Sequence, residues 1–407
     1  MTNTQLSPII ESMVYIKRQI EQNVNEALAR DKSVLLFGAR QTGKTTLINQ
    51  IPADVKLSFA QPSIRQLYEK DPSLLTKRIE ALSQHNNSLP LVIIDEVQKV
   101  PEILDAVQDL IDRNIAKFIL TGSSARKLKQ HNKLNLLPGR VVVLTLMPLT
   151  IAELPKNKLS LPDLLLFGSL PGIINLDNQE ARRIDLHSYV TIYLEEEIRA
   201  EAAVRNLASF AQFLELAASE SGNIVNFSKL SQKIGIAHTT IMNYYQILED
   251  CLVAERIAPF TQSKTRRRLI KTPKYLFSDL GIRCFAANEG INPPLEHLGR
   301  LFEQFVGLEL IRMARFTYDK SKIYFWHDNN GPEVDWVIAQ GNELIPIEVK
   351  WTDAPTLKDA RHLQLFCDEY NDVKIAYVVC RVPYKIKLVE KIFALPWQEI
   401  DSLEAFA

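Results

Sequence analysis

The sequence predicts an α/β protein in three parts: a parallel sheet flanked by helices, a mainly helical middle region, and a second, smaller α/β unit. Four apolar runs of strand length lie within the first 150 residues, and helix-length stretches separate them. Residues 150 to about 225 are amphipathic with helical spacing. From residue 300 onward the predicted order is helix, three strands, helix, strand. We therefore expect domains over residues 1–150, 151–275 and 276–407.

Length and composition are those of a globular protein with more than one core. The chain has 407 residues, which is too long for one ordinary core. Its 48 Lys and Arg balance 48 Asp and Glu, so any binding of nucleic acid needs a local patch. The four cysteines form no CxxC pair, so we expect neither a zinc site nor a disulfide framework. The sequence shows no signal-peptide core and no apolar run of about 18 residues, which predicts a cytoplasmic protein without a membrane partner.

Residues 33–50, SVLLFGARQTGKTTLINQ, form an apolar strand, a GxxxxGKT loop and the start of a helix. Such a loop wraps phosphates with its backbone amides, its lysine reaches the β- and γ-phosphates, and its threonine hydroxyl binds Mg²⁺. Lys44 and Thr45 would take these two roles. A glycine-rich turn with an exposed lysine is the alternative, which the flanking strand and helix disfavour. The expected ATP-binding residues are Gly38, Ala39, Arg40, Gln41, Thr42, Gly43, Lys44, Thr45 and Thr46.

A second motif, LVIIDE (91–96), is an apolar strand that ends in two acids, as a central parallel strand does. Asp95 would hold the Mg²⁺, and Glu96 would act as the general base that polarises the attacking water. The next strand, KFILTGSSA (117–125), ends in hydroxyl residues that could sense the γ-phosphate. These residues are Thr121, Ser123 and Ser124.

These strands would form one parallel sheet together with LLPGRVVVLTL (136–146) and VKLSFA (55–60). With these motifs the chain resembles the AAA-type ATPases. In that family an arginine placed like Arg140 or Arg126 often contacts the nucleotide of a neighbouring subunit, which implies a homo-oligomer and a catalytic role for Arg140. A contact within the same subunit and a structural salt bridge are the alternatives for Arg140.

The middle region predicts a helical lid followed by a winged helix-turn-helix. The stretch FGSLPGI (167–173) predicts a loop between lid helices. Residues 226–260 resemble a winged helix-turn-helix, in which Ser228 caps the first helix, Gly235 supports the turn and Thr239 begins the second helix.

A basic run follows the predicted wing. The segment SKTRRRLIKTPK (263–274) holds six cations in twelve residues, and residues 264–274 could contact DNA phosphates. The alternative is that this domain only packs on the ATPase and that its arginines are solvated.

The segment GPEVDWVIAQGNELIPIEVK (331–350) predicts a hairpin centred on Gly341-Asn342. Paired residues then have numbers that sum to 683, so Asp335 faces Glu348 and Glu333 faces Lys350. Alternation places Asp335 on one face and Val334 on the other with Trp336. Two carboxylates at the edge of a buried region repel each other unless one is protonated or a cation lies between them. A divalent metal ion would meet this requirement.

The Asp-x12-Glu-x-Lys pattern and its order of elements resemble the core of PD-(D/E)xK nucleases. The resemblance implies that Asp335 and Glu348 bind a second Mg²⁺ or Mn²⁺ and that Lys350 assists catalysis. Glu303, in the predicted helix 300–315, matches a further metal-binding acid, and Gln364 matches a glutamine that some members carry. The sequence departs from the family at Val334, where the pattern has proline. The alternative is an ordinary cross-strand ion pair between Glu333 and Lys350.

Taken whole, the chain resembles a prokaryotic group of AAA-type ATPases that carry a C-terminal domain of unknown function. The expected function is therefore ATP binding and hydrolysis coupled to a C-terminal nuclease-like domain that acts on DNA. The alternative is an ATP-dependent switch whose terminal domain binds DNA or a protein partner without cleavage.

Overall fold

The computed structural model describes nine stretches of the chain. They are residues 15–83, 88–123, 137–156, 158–194, 206–262, 269–290, 295–318, 320–328 and 331–406. Ser124, Arg126 and residues 263–268, the first half of the basic run, lie outside them. No helix in these stretches is long and apolar enough to cross a bilayer.

A five-stranded parallel sheet forms the first part, as the sequence predicts. Its strands are β1 (Ser33–Phe37), β2 (Val55–Ser58), β3 (Leu91–Asp95), β4 (Lys117–Gly122) and β5 (Val141–Thr145), in the order β2-β3-β4-β1-β5. The helices are α1 (Ile20–Ala29), α2 (Lys44–Gln50), α3 (Pro62–Lys70), α4 (Ser73–Ser83) and α5 (Ile103–Asp112). Both faces are buried, since Leu35 and Phe37 of β1 pack in one core and Val34 and Leu36 in another. Such a sheet is compatible with a P-loop fold.

The middle part is helical and ends in a small antiparallel sheet. Its helices are α6 (Leu161–Phe167), α7 (Pro171–Asn175), α8 (Gln179–Ser188), α9 (Leu207–Ser219), α10 (Phe227–Ile234), α11 (His238–Asp250) and α12 (Leu280–Ala286), and a π-helical turn, Tyr189–Leu194, follows α8. The paired strands are β6 (Ala254–Ile257) and β7 (Lys274–Phe277). This helix-turn-helix with two strands has the element order of a winged helix, and that assignment stays a prediction.

The turn between α10 and α11 differs from the expectation at its caps. Gly235 supports the turn, because its φ of 75° lies in the left-handed region. Asn226, and not Ser228, caps α10, since its side chain accepts a hydrogen bond from the Lys229 amide at 2.9 Å. Helix α11 begins at His238, one residue before Thr239.

The C-terminal part is a six-stranded mixed sheet with one long helix on one face. It contains α13 (Leu295–Phe316), β8 (Ser321–His327), β9 (Glu333–Gln340), β10 (Glu343–Val349), α14 (Arg361–Glu369), β11 (Ala376–Cys380), β12 (Ile386–Lys387) and β13 (Ile392–Pro396), in the strand order β12-β13-β11-β10-β9-β8. The helix–three strands–helix–strand order is observed, and β12 and β13 extend it. Short 3₁₀ turns are Val97–Lys99, Ile151–Glu153, Trp397–Ser402 and Glu404–Phe406.

A bulge changes the predicted alternation in β9. Tyr324 pairs with Val337 and Trp326 with Val334, so Asp335 and Trp336 lie opposite the single residue Phe325. Val334 consequently packs with the α14 side of the sheet, while Trp336 packs with the α13 side. The expectation that these two side chains share a face was wrong.

Candidate functional site

The loop between β1 and α2 has the backbone that phosphate binding requires. Gly43 (φ 96°) and Gln41 (φ 60°) take left-handed conformations. A Cβ at Gly38 would lie 2.5 Å from the Leu146 carbonyl oxygen, so only glycine fits there. Thr42 Oγ1 donates to the Ala39 carbonyl oxygen at 2.7 Å, which closes the loop on itself. Lys44 Nζ donates to the carbonyl oxygens of Gly38 (2.7 Å) and Ala39, so its ammonium lies over the loop.

The two motifs meet at the carboxyl edge of the sheet. Because β4 lies between β1 and β3, the ends of all three strands converge. Asp95 Oδ2 accepts from Thr45 Oγ1 at 3.0 Å, and Asp95 Oδ1 accepts a short hydrogen bond from Thr121 Oγ1. The Glu96 amide in turn donates to Thr121 Oγ1 at 3.2 Å. A buried carboxylate beside a hydroxyl is an oxygen donor set that suits Mg²⁺, so these residues fit the ion.

Gln98 is a residue that the motifs did not reveal. Its Nε2 donates to Glu96 Oε2 at 2.8 Å and to Ser123 Oγ at 3.0 Å, so one amide orients both the expected base and an expected phosphate sensor. Its Oε1 is buried, and the described structure gives it no hydrogen-bond partner. The available signal was a side chain that can donate a hydrogen bond, two residues after Glu96.

Arg18, which precedes α1, was also not predicted. Its guanidinium donates to the carbonyl oxygens of Thr42 in the loop and of Met147 after β5, both at 2.7 Å. Its Nε lies 3.2 Å from Glu153 Oε1. Arg18 therefore connects the phosphate loop to the segment that leaves the sheet.

A cavity of about 340 Å³ lies beside the loop, between the first part and the lid helices. It adjoins Gln41, Gly43 and Thr46 of the loop and the start of α2. Loop residues and the α7 region line it together, which places the predicted lid next to the phosphate loop. The lining residues are Tyr15, Ile16, Arg18, Gln41, Gly43, Thr46, Pro171, Gly172, Ile173, Asn175 and Asp185.

Arg140 lies at the amino ends of the parallel strands, opposite the carboxyl edge where the two motifs meet. It precedes β5, and its neighbour Gly139 accepts a hydrogen bond from Lys32, which precedes β1. Its guanidinium forms a bidentate salt bridge with Asp112, with Nε 2.6 Å from Oδ1 and Nη2 2.9 Å from Oδ2. Of the alternatives for Arg140, the salt bridge is the one that is observed. A contact in trans stays a prediction.

The C-terminal hairpin has the predicted register from its turn to the pair Trp336–Ile347, and the residue numbers of each pair sum to 683. The ladder between β9 and β10 ends at that pair, so the predicted pairs Asp335–Glu348 and Glu333–Lys350 are not part of it. Lys350 Nζ contacts Glu348 Oε1 at 2.6 Å, while Glu333 contacts His327 at 3.3 Å. The predicted Glu333–Lys350 ion pair is therefore absent.

Asp335 and Glu348 are buried carboxylates that lie close together. They are 9% and 4% exposed. Burial raises the pKa of Asp335 well above its usual range, and the charges of Glu303 and Glu348 add to this rise. Burial also raises the pKa of Glu348, although Lys350 opposes the rise. Asp335 Oδ2 accepts from the Val349 amide at 2.7 Å, but Glu348 Oε2 is buried without a hydrogen-bond partner in the described structure.

Lys274 joins this acidic site from β7. Its Nζ lies 3.3 Å from Glu303 Oε1, and the residue is 8% exposed. The last residue of the basic run is thus buried and cannot contact DNA, which corrects the prediction for that residue. Gln364 is exposed on α14.

The described residues do not form a metal-ligand set. No group of three or more His, Cys, Asp and Glu side chains in them is arranged to hold a metal ion. Glu303, Asp335 and Glu348 thus lie in one region without gathering as three ligands, and two lysines balance their charge. As they stand, these residues do not fit the predicted second metal.

Comparison with known proteins agrees with the prediction made for the first part of the chain. Residues 30–155 match the AAA domain family. The match supports an AAA-type P-loop ATPase, with the nucleotide binding that such a domain implies. Residues 158–293 and 298–400 match two families described as domains of unknown function, DUF8612 and DUF4143.

Relatives extend over most of the chain without naming an activity. Uncharacterized proteins of Mycobacterium tuberculosis and Mycobacterium bovis are each 24% identical over 400 residues, which covers 96% of this chain and 86% of theirs. An uncharacterized protein of Methanocaldococcus jannaschii is 24% identical over 307 residues, 63% of each chain. The match to a crystal structure of a Vibrio cholerae protein covers 91% of this chain and 95% of that chain, at 11% identity and a TM-score of 0.21.

Buried polar contacts connect the AAA domain to the helix that carries Glu303. Glu309 of α13 accepts from the Ile151 amide at 2.8 Å, and Arg312 donates to the Leu149 carbonyl oxygen at 2.9 Å. Arg312 also donates to the Ser278 carbonyl oxygen at 3.2 Å. Helix α13 is therefore fixed to the same segment that Arg18 holds through Glu153.

Proposed function

We propose that the chain binds ATP with Mg²⁺ and hydrolyses it at the edge formed by β1, β3 and β4. The observation that carries this proposal is the hydrogen bonding of Asp95 to Thr45 and Thr121 next to the phosphate loop. Lys44 is hydrogen-bonded to the carbonyl oxygens of that loop. Lys44 would exchange its carbonyl partners for phosphate oxygens of the substrate. Thr45 and Asp95 would hold the Mg²⁺, which screens phosphate charge when bound.

Glu96 is the proposed general base. Gln98 holds its carboxylate, and Thr121 holds its backbone amide, so both ends of the residue are fixed. Ser123 and Thr121 are the proposed sensors of the γ-phosphate, and Thr121 would have to exchange its hydrogen bond to Asp95 for one to the phosphate. Gln98 donates to Ser123 Oγ, which leaves the hydroxyl hydrogen of Ser123 available for a phosphate oxygen.

Steady-state ATP turnover tests this proposal. Lys44→Ala should abolish turnover and weaken binding, whereas Glu96→Gln should abolish turnover and leave binding largely intact. Arg65→Ala, at a half-exposed pair on α3, is the matched control and should retain full turnover. Turnover by Lys44→Ala at the parent rate would contradict the assignment.

We further propose that nucleotide state is coupled to the C-terminal acidic site, with DNA as the substrate or ligand. Asp335, Glu348, Lys350 and Glu303 are the proposed nuclease-like residues. The contacts of α13 with residues 149–151 support the coupling, since they link the helix that carries Glu303 to the AAA domain. The second candidate is a switch that binds DNA or a protein without cleavage, which the lysine-balanced acidic site favours.

A cleavage assay separates the two candidates. Single-stranded, duplex and forked DNA would be incubated with Mg²⁺ or Mn²⁺, with and without ATP. The nuclease proposal expects cleavage that Asp335→Ala removes. The switch proposal expects no cleavage with either metal and normal ATP-dependent assembly after Lys350→Ala.

Further proposals concern partners and organisation. The winged-helix strands and the basic run upstream of Lys274 are the proposed DNA contacts. Arg140 is the proposed trans contact in a homo-oligomer, and the chain is proposed to be cytoplasmic. The domain boundaries at residues 150 and 275 also stay proposals, although β7 of the middle part extends past residue 275 and α12 lies beyond it. Light scattering with and without ATP tests the oligomer.

A further inference from the structure

Lys274 is a buried cation that comes from outside the C-terminal sheet. It begins β7, which pairs with β6 of the middle part, whereas its partner Glu303 lies on α13. Its ammonium also lies 5.0 Å from the centre of the Phe325 ring and 5.8 Å from that of Trp336. These two rings and the Glu303 carboxylate together contact the ammonium group of Lys274, and all three favour a positive charge.

Two ammonium groups partly compensate the carboxyl groups of the acidic site. Glu303, Asp335 and Glu348 face the ammonium groups of Lys274 and Lys350, and Glu333 adds a further negative charge nearby. Burial opposes the charge of Lys274, but the Glu303 carboxylate at 3.3 Å and the charge of Asp335 favour it. A divalent ion would have to use carboxylate oxygens that the ammonium groups now neutralise.

One buried oxygen of the acidic site lacks a hydrogen-bond donor. Glu348 Oε2 has no hydrogen-bond partner in the described structure, and the side chain is 5% exposed. A buried carboxylate oxygen without a donor is costly, and a further positive charge would relieve that cost. The oxygen is therefore available to an ion that the present arrangement does not admit.

We propose that Lys274 is a built-in counter-cation that keeps a divalent metal ion out of the C-terminal acidic site as long as β7 lies against α13. This inference rests on the proposed metal-binding role of Asp335 and Glu348. Movement of β7 away from α13 removes one positive charge and frees the Glu303 carboxylate as a ligand. The lysine thus links the position of the middle part to metal loading of the last part.

Mn²⁺ binding to the nucleotide-free full chain, followed by electron paramagnetic resonance, tests the inference. The contribution of this site is the binding that Asp335→Asn removes. Lys274→Met keeps the packing against Phe325 and Trp336 and loses the charge. It should tighten Asp335-dependent binding at least about ten-fold, because a unit charge is removed within a few ångströms of the ion.

Three further variants make the result specific. Lys274→Gln removes the charge but can still hydrogen-bond Glu303, so it replaces Lys274→Met if that variant fails to fold. It should show the same tightening. Lys274→Arg keeps the charge, and Lys271→Gln removes an exposed charge of the same run. Both should bind Mn²⁺ as the parent does.

The outcomes separate this inference from the proposal on which it rests. Equal Asp335-dependent affinity in the parent and in the neutral variants would overturn the role of Lys274 and leave the metal site standing. Absence of Asp335-dependent binding in every variant would overturn both. Equal tightening by Lys271→Gln would show a general charge effect and would also overturn the inference.

Discussion

The protonation of Glu309 gives a prediction whose size follows from the structure. Burial raises the pKa of this carboxyl from its ordinary 4.5 to about 7, although Arg312 opposes the rise. Between pH 4.5 and about pH 7, Glu309 keeps its proton in the folded chain and has lost it in the unfolded chain. The free energy of unfolding therefore falls as pH rises through this window, by about 1.4 kcal/mol per pH unit and about 3 kcal/mol in total.

Glu309→Gln should remove this pH dependence. The glutamine oxygen can still accept from the Ile151 amide, and the amide stays neutral at every pH. Relative to the parent, the free energy of unfolding of the variant should rise by about 3 kcal/mol between pH 4.5 and pH 8. The variant should be the more stable protein at pH 8.

Urea unfolding at several pH values, followed by tryptophan fluorescence, measures this difference. The four tryptophans, Trp326, Trp336, Trp351 and Trp397, all lie in the C-terminal part that contains α13. Glu390→Gln changes an exposed carboxylate and is the control, for which we expect no pH-dependent difference. A Glu309→Gln difference that stays constant from pH 4.5 to pH 8 would refute the reasoning.

Two other predictions concern single positions. Gln98→Ala should lower kcat for ATP about ten-fold with little change in KM, because the orientation of Glu96 is lost; a change in KM alone would contradict this role. Gly307→Ala should lower the free energy of unfolding by about 3 kcal/mol, since its Cβ would lie 2.2 Å from the buried Trp336 ring. Gly299→Ala in the same helix, where the nearest atom is 3.9 Å away, should be neutral or slightly stabilising, and equal thermal unfolding of the two variants would contradict the packing argument.

Local features of the sequence predicted local structure well. The glycine-rich loop, the strand that ends in Asp95 and the Gly341-Asn342 turn each depend on neighbouring residues, and the structure shows all three. The hairpin register followed from the turn, because a two-residue loop fixes every later pair.

Features that depend on distant residues could not be predicted in this way. The bulge at Asp335 arises where Trp336 packs on Gly307, which is remote in sequence. The contacts of Lys274 with Glu303 and of Arg18 with Thr42 likewise join separate elements. A basic run looks the same in sequence whether its last lysine is solvated or buried, so only the tertiary structure distinguishes the two.

The central claim is that oxygen atoms of a nucleotide and of Asp95 are held together around one magnesium ion. Titration calorimetry of the purified chain with ATP, with and without Mg²⁺, tests it directly when Asp95→Asn is measured in parallel. The account predicts one site per chain that strengthens with Mg²⁺ in the parent and loses that dependence in the variant. Absence of heat with either form of ATP, or equal Mg²⁺ dependence in Asp95→Asn, would contradict it.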